Sequence, residues 1–360
     1  MAQVAASWRL SNAQYEEDLD LVCDCGADWD VFEGSAVGIS GATGMVGTFL
    51  VDVLMRKRLR DGLDVRVLAL GRSKARAEQR LPYLDEPSFA FEELDVSVPG
   101  AEPTTSADVV VHLASTTHPR AYATQPIGTI TANVTGLQNL LDWQLRSCKD
   151  GRFLFASSVE VYGQNRGDVE EFDESYCGYL DCNTLRAGYP EAKRLGEALC
   201  QAYAGERGAH IYLPRLPRIY GPTLLDSDTK ALSQFLRNAV AGEDVVLKSE
   251  GTQVFSYLYV ADAVSALLWV LTRGTEGMAY NAADDRSNIS LRDLAGIACK
   301  AGGSSVVFEL PEATERAGYS TATKALLDAT RLRSLGWRAH YGIEEGVERT
   351  VSMLRAQDEG

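Results

Sequence analysis

The sequence predicts an α/β fold, a doubly wound parallel sheet joined to a smaller, mixed C-terminal region. Three observations predict it. Short apolar, β-branched segments alternate with amphipathic helical segments over much of the chain. A glycine-rich loop directly follows the first of these predicted strands. The 360 residues are more than one small domain needs, so we expect one large domain or two merged domains.

In chain order, residues 1–35 are expected to form an acidic N-terminal extension with one helix around Asn12–Val22. Trp29 and Phe32 are expected to pack this extension against the main body. Alternating strands and helices then predict a first domain over 36–215. Shorter, mixed elements predict a smaller region over 216–360, some of whose elements return to the sheet. Strands are expected at 36–40, 65–70, 89–96, 108–115, 152–158 and 210–216, and helices at 46–58, 74–81, 127–146 and 190–205.

The composition argues against several classes of protein. A formal charge of −15 disfavours unaided binding to nucleic acid or to anionic membranes. No apolar run approaches the ~20 residues needed to span a bilayer, and the acidic N-terminus predicts no secretion. Seven irregularly spaced cysteines fit free thiols in the cytoplasm. Cys23 and Cys25 lack a second Cys/His pair at zinc spacing, so no metal site is expected.

The loop SGATGMVG predicts a dinucleotide site. Gly41 permits the tight turn, Gly44 allows backbone N–H groups to approach a pyrophosphate, and Gly47 permits close packing of helix on strand. The following helix N-terminus adds favourable positive potential. This strand–turn–helix context predicts a Rossmann-type domain. The loop residues expected to contact the dinucleotide are Gly41, Thr43, Gly44, Met45, Val46 and Gly47.

The adenosine end of the cofactor is expected beside the second and third strands. NAD sites usually carry a carboxylate after the second strand, but here that strand runs into Gly71-Arg72-Ser73. Arg72 can pair with the 2′-phosphate of NADP, stack on adenine, or simply be solvated. Asp95 and Val96, at the end of the third strand, are placed to contact adenine. We expect NAD, with NADP as the alternative.

The stretch FASSVEVYG and the later GYPEAKR predict a proton-transfer unit. Tyr189 and Lys193 are four residues apart near the start of a helix, which places both on one face. A cation beside a tyrosine stabilises its phenolate, so we expect Lys193, together with a nicotinamide ring, to lower the pKa of Tyr189. Tyr189 would take a proton from a substrate hydroxyl, and Ser158 would hold the same oxygen.

These motifs together resemble the extended short-chain dehydrogenase/reductase superfamily. The matching stretches are GATGMVG, HLAS (112–115), TANVTG around Asn133, SSVEVYG, YPEAK and RIYGP (218–222), and the resemblance covers about residues 35–345. The branch it most resembles modifies nucleotide-diphosphate sugars through oxidation at C4. The resemblance implies a homodimer formed by the helices at 127–146 and 190–205. It also implies cofactor contacts from Leu113, Ala114, Ser115 and Asn133 and substrate contacts from Thr116 and His118.

Departures from the family patterns separate its branches. The 4,6-dehydratases have an Asp-Glu pair after the catalytic hydroxyl, but here Val159 and Glu160 follow Ser158, which argues against dehydration. Glu160, which can act as a base or position water at the C5 or C6 end of the sugar, is shared with UDP-glucuronate decarboxylases. Those enzymes have an arginine where Phe255 stands and an asparagine where Arg218 stands. We therefore expect Arg218, together with Lys324, to grip the diphosphate.

Several functions stay open at this stage. The leading hypothesis is NAD(P)-dependent 4-epimerisation of a nucleotide sugar. Decarboxylation of a UDP-glucuronate-type substrate comes next, followed by dehydration or NADPH-dependent reduction of a keto-sugar, which Arg72 would favour. A non-enzymatic dinucleotide sensor predicts loss of the Ser/Tyr/Lys set, whereas all three residues are present.

Overall fold

A twisted parallel sheet forms the centre of the computed structural model, which describes residues 8–115, 125–309 and 323–358. Its strand order is β11-β7-β5-β4-β1-β2-β3, with the short β6 also paired to β7. All of these pairings are parallel, as the crossover helices require. The strands are β1 (Ser35–Ser40), β2 (Val65–Gly71), β3 (Phe89–Glu93), β4 (Val109–His112), β5 (Arg152–Phe155), β6 (Ser157–Ser158), β7 (His210–Leu216) and β11 (Ala279–Asn281).

The helices of the first two thirds match the predicted alternation. The glycine loop leads into a helix that ends at Gly62, which adopts a left-handed conformation with φ 76°. The two longest helices of the described chain pack against each other along the sheet. These helices are α1 (Ala13–Cys23), α2 (Met45–Asp61), α3 (Lys74–Arg80), α4 (Pro126–Ser147) and α5 (Gly188–Arg207).

The remaining elements form the smaller region. One sheet has the order β12-β10-β14, with β8 also paired to β10, and β13 pairs with β9. Strand β11 returns to the large sheet beside β7, so the two regions share that sheet. The strands are β8 (Arg218–Tyr220), β9 (Val245–Leu247), β10 (Val254–Tyr259), β12 (Asn288–Ser290), β13 (Val306–Phe308) and β14 (Lys324–Ala325), and the helices are α6 (Ala231–Ala241), α7 (Val260–Arg273), α8 (Leu291–Gly302), α9 (Thr330–Ser334) and α10 (Ile343–Asp358).

The N-terminal segment is an integral part of the fold. Helix α1 begins after Asn12, whose side chain accepts a hydrogen bond from the Tyr15 N–H, a standard N-cap. The buried Asp18 accepts hydrogen bonds from Tyr259 at the end of β10 and from Arg349 on α10. This segment therefore ties elements of both regions together. Among the described helices, none combines the length and the apolar character that a membrane crossing requires.

Candidate active site

The ends of the parallel strands bring the predicted site residues to one edge of the sheet. Strands β1 and β4 end in register, with Ser40 opposite His112. The segment predicted as one strand over 152–158 is divided at Ala156, and the short β6 then pairs with β7, placing Ser158 opposite Leu216. The carboxyl ends of parallel strands are where open α/β sheets bind ligands. The glycine loop and Ser158 therefore share the binding edge.

The glycine loop has the geometry of a phosphate cradle. Gly41 adopts φ +73°, and a Cβ there would approach the backbone N of Ala114 to 2.8 Å. A Cβ at Gly47 would approach the Gly41 carbonyl oxygen to 2.2 Å, so both positions require glycine. At Gly44 a Cβ would meet only that carbonyl oxygen, at 3.1 Å, and would otherwise extend into open space. Gly44 thus leaves room for a ligand to approach the backbone.

Helix α2 begins at Met45, directly after this opening. The N–H groups of its first turn, at Met45, Val46 and Gly47, lack intrahelical acceptors because of their position in the helix. The Met45 carbonyl accepts a hydrogen bond from Thr223 Oγ1 at 2.9 Å, which fixes the start of the helix. Thr43 in the loop is largely buried. These donors and the open cradle suit a bound pyrophosphate.

The adenosine end is built differently from the sequence expectation. Strand β3 ends at Glu93, so Asp95 and Val96 lie in the following turn. Partial burial alone would raise the pKa of Asp95, but hydrogen bonds from Ser97 and the nearby charge of exposed Arg72 hold it below its ordinary value. The Val96 side chain is buried against Gly136 of α4. Its side chain thus serves as scaffold, whereas Arg72 and Asp95 remain at the cofactor edge.

The end of β4 is held by a buried histidine that sequence reasoning did not assign. His112 Nδ1 and Ser40 Oγ share a hydrogen bond of 2.6 Å, and Ser40 Oγ also accepts from the Ala114 N–H at 3.3 Å. Burial, reinforced by nearby Lys193, lowers the pKa of His112 to about 3, so its ring is neutral. Leu113 N–H donates to the Ser40 carbonyl oxygen. This network fixes Leu113 and Ala114 against the glycine loop.

Ser115 and Asn133 are joined directly. Ser115 Oγ donates to Asn133 Oδ1 at 3.0 Å, and Asn133 Nδ2 donates to the Thr129 carbonyl oxygen at 2.8 Å. Asn133 is fully buried on α4. Its side chain therefore orients Ser115, which in turn bonds to the hydroxyl of Tyr189.

Tyr189 lies at the start of α5 with its ring buried. Burial raises the pKa of its hydroxyl, although hydrogen bonds with Ser158 and Ser115 lower it in part, and the charge of Glu160 adds to the increase. The sequence expectation concerns Lys193 acting together with a nicotinamide ring, and it stays a prediction for the cofactor-bound site. The hydrogen bonds nevertheless bring Ser158 to the tyrosine hydroxyl, as the motif predicted.

Lys193 is buried one turn after Tyr189. Its ammonium lies 5.9 Å from the centre of the Tyr189 ring and 4.5 Å from that of Phe155. It donates one hydrogen bond to the Ala156 carbonyl oxygen at 2.8 Å. Burial lowers its pKa to about 7, against the opposing influence of Cys200 and Glu197. An ammonium has three donors, so Lys193 has capacity for a ligand hydroxyl.

Glu160 lies in the single 3₁₀ turn that follows β6, and its backbone N–H donates to Ser158 Oγ at 3.3 Å. The carboxylate is half-buried and close enough to Tyr189 to raise the pKa of its hydroxyl. Val159, by contrast, is buried. Among the described residues, Glu160 is the carboxylate whose charge acts on the Tyr189 hydroxyl.

A second network, which the sequence did not reveal, supports the catalytic helix. Ser157 Oγ donates to Glu197, and Arg215 of β7 donates to both oxygens of the same carboxylate at 2.9 and 2.6 Å. Arg215 also donates to Tyr162 Oη, which donates to Asn281 Oδ1 at 2.6 Å. Tyr162 thus belongs to the scaffold. The sequence does not show that a charged residue in a strand, such as Arg215, forms an ion pair with one in a helix, such as Glu197.

Arg218 and Phe255 lie face to face. The guanidinium carbon of Arg218 is 3.5 Å from the centre of the Phe255 ring. The structure does not bring Lys324 to this pair, contrary to the sequence expectation. Lys324 is in register with Val254, on the opposite face of β10 from Phe255, and forms an ion pair with Glu170. The prediction that Arg218 and Lys324 lie together to bind the diphosphate is therefore wrong.

Two expected substrate residues, Thr116 and His118, lie outside the described residues. Within the described ranges, no group of three or more His, Cys, Asp and Glu side chains has an arrangement that could hold a metal ion.

Comparisons with known proteins give a family match, sequence relatives and a shared fold. The family model "NAD dependent epimerase/dehydratase family" matches residues 37–283. A UDP-glucuronic acid decarboxylase 1 of Xenopus tropicalis is 29% identical over 324 residues, covering 89% of this chain and 72% of the relative. UDP-glucuronic acid decarboxylase 3 of Arabidopsis thaliana is 31% identical over 239 residues, covering 66% and 67%. An epimerase structure from Methanothermobacter thermautotrophicus superposes with a TM-score of 0.78 at 19% identity, covering 94% and 96%, which shows a shared fold.

Proposed function

Because the chain belongs to the NAD-dependent epimerase/dehydratase family, we propose that it catalyses 4-epimerisation of a nucleotide-diphosphate sugar through a 4-keto intermediate. The observation that carries the proposal is the shared hydrogen bonding of the Tyr189 hydroxyl with Ser158 and Ser115, with the Lys193 ammonium 5.9 Å from the tyrosine ring. This arrangement holds one substrate hydroxyl beside a group that can take its proton.

The cofactor of this family is NAD, and the residues present fit it. The open face of Gly44 and the first turn of α2 would hold the pyrophosphate, and the two remaining donors of Lys193 would hold a ribose. Arg72 and Asp95 lie where the adenosine is expected. When bound, NAD accepts a hydride from the sugar and can return it. NADP remains the alternative that Arg72 favours.

The chain's own residues divide the proton chemistry. Ser158 would orient the sugar C4 hydroxyl, and Tyr189 would accept its proton and later return it. The positive charge of Lys193 would favour the ionised tyrosine. Glu160, whose charge acts on the Tyr189 hydroxyl, would face the C5 or C6 end of the sugar as a base or a water-positioning group. Buried Val159 offers no acid for loss of water.

Decarboxylation of a nucleotide-linked uronic acid is the second candidate. The relatives favour it, since those compared above are named UDP-glucuronic acid decarboxylases. The 4-ketone would then act as the electron sink for loss of CO2. Phe255 and Arg218 depart from the pattern of those enzymes. Because of this departure, we rank epimerisation above decarboxylation as the proposed reaction.

One experiment separates these candidates. The purified protein is supplied with UDP-glucuronate and with UDP-glucose, and the products are followed by NMR together with CO2 release. A C4-inverted sugar supports epimerisation, and CO2 with a pentose supports decarboxylation. If neither sugar changes, the proposed activity fails for uridine nucleotides, and mass spectrometry of the native protein then identifies the co-purifying nucleotide.

We also propose a cytoplasmic homodimer formed through α4 and α5. Ile127, Ile130 and Leu195 on these two helices are exposed apolar side chains, at 77%, 41% and 51%. Such side chains on neighbouring long helices suit a four-helix interface. All seven cysteines are free thiols, which fits a reducing compartment.

A further inference from the structure

The stacked pair of Arg218 and Phe255 lies close to the catalytic edge. Ser158 is in register with Leu216 at the end of β7, and Arg218 follows Leu216 by two residues, about 7 Å along an extended chain. Arg218 is in turn in register with Tyr257 of β10. Its side chain therefore lies on the same face of β10 as Phe255 and Tyr257, where it stacks on the phenyl ring.

Two buried polar atoms, one on β8 and one directly before β10, have no hydrogen-bond partner in the part of the chain that the structure describes. They are Nη1 of Arg218 and Oε1 of Gln253. Gln253 directly precedes β10, which begins at Val254, and its carbonyl oxygen accepts a hydrogen bond from the Leu291 N–H. Unpaired buried polar groups are costly, and folded proteins keep few of them. The pairing of β8 with β10 sets Arg218 opposite Tyr257, four residues from Gln253, so a ligand long enough to reach both groups would supply an acceptor to the first and a donor to the second.

The surroundings strengthen such an interaction. Phe255 and Tyr257 are buried and form an aromatic wall behind the guanidinium. Burial raises the pKa of Tyr257 to about 12, with the nearby charge of Arg218 opposing the increase, so its hydroxyl stays neutral. In such a weakly polar environment an ionic hydrogen bond is stronger than in water. Stacking on Phe255 also holds the guanidinium plane fixed, which favours a planar, two-point contact.

We propose that this recess, bounded by Arg218, Phe255 and Gln253, binds the C6 carboxylate of a nucleotide-linked uronic acid together with a hydroxyl of the same sugar. This inference rests on the proposed function, because it takes Ser158 to hold the C4 oxygen. A C6 carboxylate is attached at C5, next to C4, which suits the short chain distance from the Ser158–Leu216 pair to Arg218. The carboxylate accepts from Arg218, and a sugar hydroxyl donates to Gln253 Oε1.

A diphosphate fits this recess less well, although the sequence alone suggested that ligand for Arg218. Phosphate oxygens are acceptors at neutral pH, so they would face the Gln253 oxygen without a donor between them. The diphosphate is also attached at C1, across the sugar ring from C4. Both chemical groups are anionic, so the test must separate them.

The test compares the binding of UDP-glucuronate, UDP-glucose and UDP by calorimetry. The two sugars differ only in whether C6 is a carboxylate or an alcohol. The variants are Arg218→Met, which keeps the packing on Phe255, and Gln253→Leu. The matched control is Arg166→Met, because Arg166 is an exposed arginine that stacks on Tyr179 at 4.0 Å.

We expect the wild type to bind UDP-glucuronate about tenfold or more tightly than UDP-glucose, the size of one charge-assisted hydrogen bond. Arg218→Met should make the affinities for UDP-glucuronate and UDP-glucose equal and leave the affinity for UDP unchanged. Arg166→Met should preserve the wild-type preference for UDP-glucuronate. Gln253→Leu should weaken binding of both sugars and leave UDP unaffected. Arg218→Met should also keep or raise the unfolding temperature, because it removes a buried, unpaired nitrogen.

Other outcomes overturn the inference. Equal wild-type affinity for the two sugars, or binding of neither, excludes a carboxylate recess. Equal weakening of both sugars and of UDP in Arg218→Met assigns the arginine to the diphosphate instead. The proposed function can fail separately. This would be the result if UDP-glucuronate binds with this preference but replacing Tyr189 with Phe does not change the turnover of any nucleotide sugar. A preference without turnover would thus retain the recess and reject the reaction.

Discussion

The carboxylate of Glu197 accepts two hydrogen bonds from the guanidinium of Arg215, at 2.9 and 2.6 Å. Glu197 is one turn after Lys193 on α5, and Arg215 is on the neighbouring strand β7. Ser157, beside the catalytic serine, donates to the same carboxylate. A single ion pair therefore connects the helix carrying the tyrosine and lysine with the strands that position the serine.

Replacing Glu197 with Gln should strongly destabilise the fold. Both side chains of the pair are mostly buried, at 14% and 13% exposure, so the variant leaves Arg215 with a buried charge. The expected loss in the free energy of unfolding is about 3–5 kcal/mol, measured by urea denaturation. Glu102→Gln, which breaks an exposed pair with Arg146, should cost less than about 1 kcal/mol. Equal effects of the two substitutions would show that the buried pair has no special role.

Tyr189→Phe should reduce turnover by about 10²–10⁴-fold, because it removes the proton-transfer group while keeping the buried ring. Tyr203→Phe, on the same helix, removes a hydroxyl that donates to Asp142 at 2.7 Å and should leave turnover nearly unchanged. The measurement is the initial rate with whichever nucleotide sugar is converted. Full activity of Tyr189→Phe would remove this residue from the chemistry.

The buried Lys193 predicts a specific pH dependence of stability. Its pKa falls from 10.5 to about 7 on folding, so between these values the unfolded chain binds more protons than the folded chain. The stability of the wild type therefore rises with pH in this window, by up to about 1.4 kcal/mol per pH unit from this residue. Lys193→Met should exceed the wild type in stability most strongly below pH 7.

The comparison uses urea denaturation of cofactor-free wild type and Lys193→Met across this pH window. The gap between their free energies of unfolding should narrow as the pH rises above 7. Parallel curves for the two proteins would mean that Lys193 keeps an ordinary pKa in the folded chain.

The N-terminal segment should be essential to stability. Arg9 donates to both carboxylate oxygens of Asp52 on α2, at 2.6 and 3.0 Å, and both residues are buried. Arg9→Met leaves the Asp52 carboxylate buried without its cation and should cost about 3–5 kcal/mol. The double variant Arg9→Met with Asp52→Asn should recover part of that loss in urea denaturation. If the double variant is no more stable than Arg9→Met, the unpaired Asp52 carboxylate is not the cause of the lost stability.

Leu195→Glu should dissociate the proposed dimer. The side chain is 51% exposed on α5 and would place a charge within the apolar interface. Light scattering after size-exclusion chromatography should report a dimer for the wild type and a monomer for the variant. Leu59→Glu, at an exposed leucine on α2, should remain dimeric. A monomeric wild type would reject the interface.

Local sequence patterns predicted the fold well, and the structure brings Ser158 and Tyr189 together as the motifs suggested. The glycine loop, the Tyr189–Lys193 spacing and the strand that ends at Ser158 each depend on contacts within a few residues or on one periodicity. The division of the strand at Ala156 and the early end of β3 were missed, because strand ends depend on pairing with neighbouring strands.

Long-range contacts were the main source of error. The Lys324 prediction failed because strand register decides which face a side chain occupies, and Lys324 pairs with Val254 on the face away from Arg218. Burial raises the pKa of the Tyr189 hydroxyl in the chain without its cofactor, and the motif alone does not contain that burial. Likewise, the Glu197–Arg215 pair joins residues 18 positions apart through the packing of α5 on β7.

The most direct test of the central claim uses a nucleotide sugar carrying deuterium at C4. If Ser158 and Tyr189 hold the C4 oxygen for reversible hydride removal, the labelled sugar should react more slowly than the unlabelled one, and the deuterium should be found at C4 of the product. Product NMR and mass spectrometry give both results in one reaction. Equal rates for the two sugars, together with loss of the label to water, would contradict reversible C4 oxidation at this site.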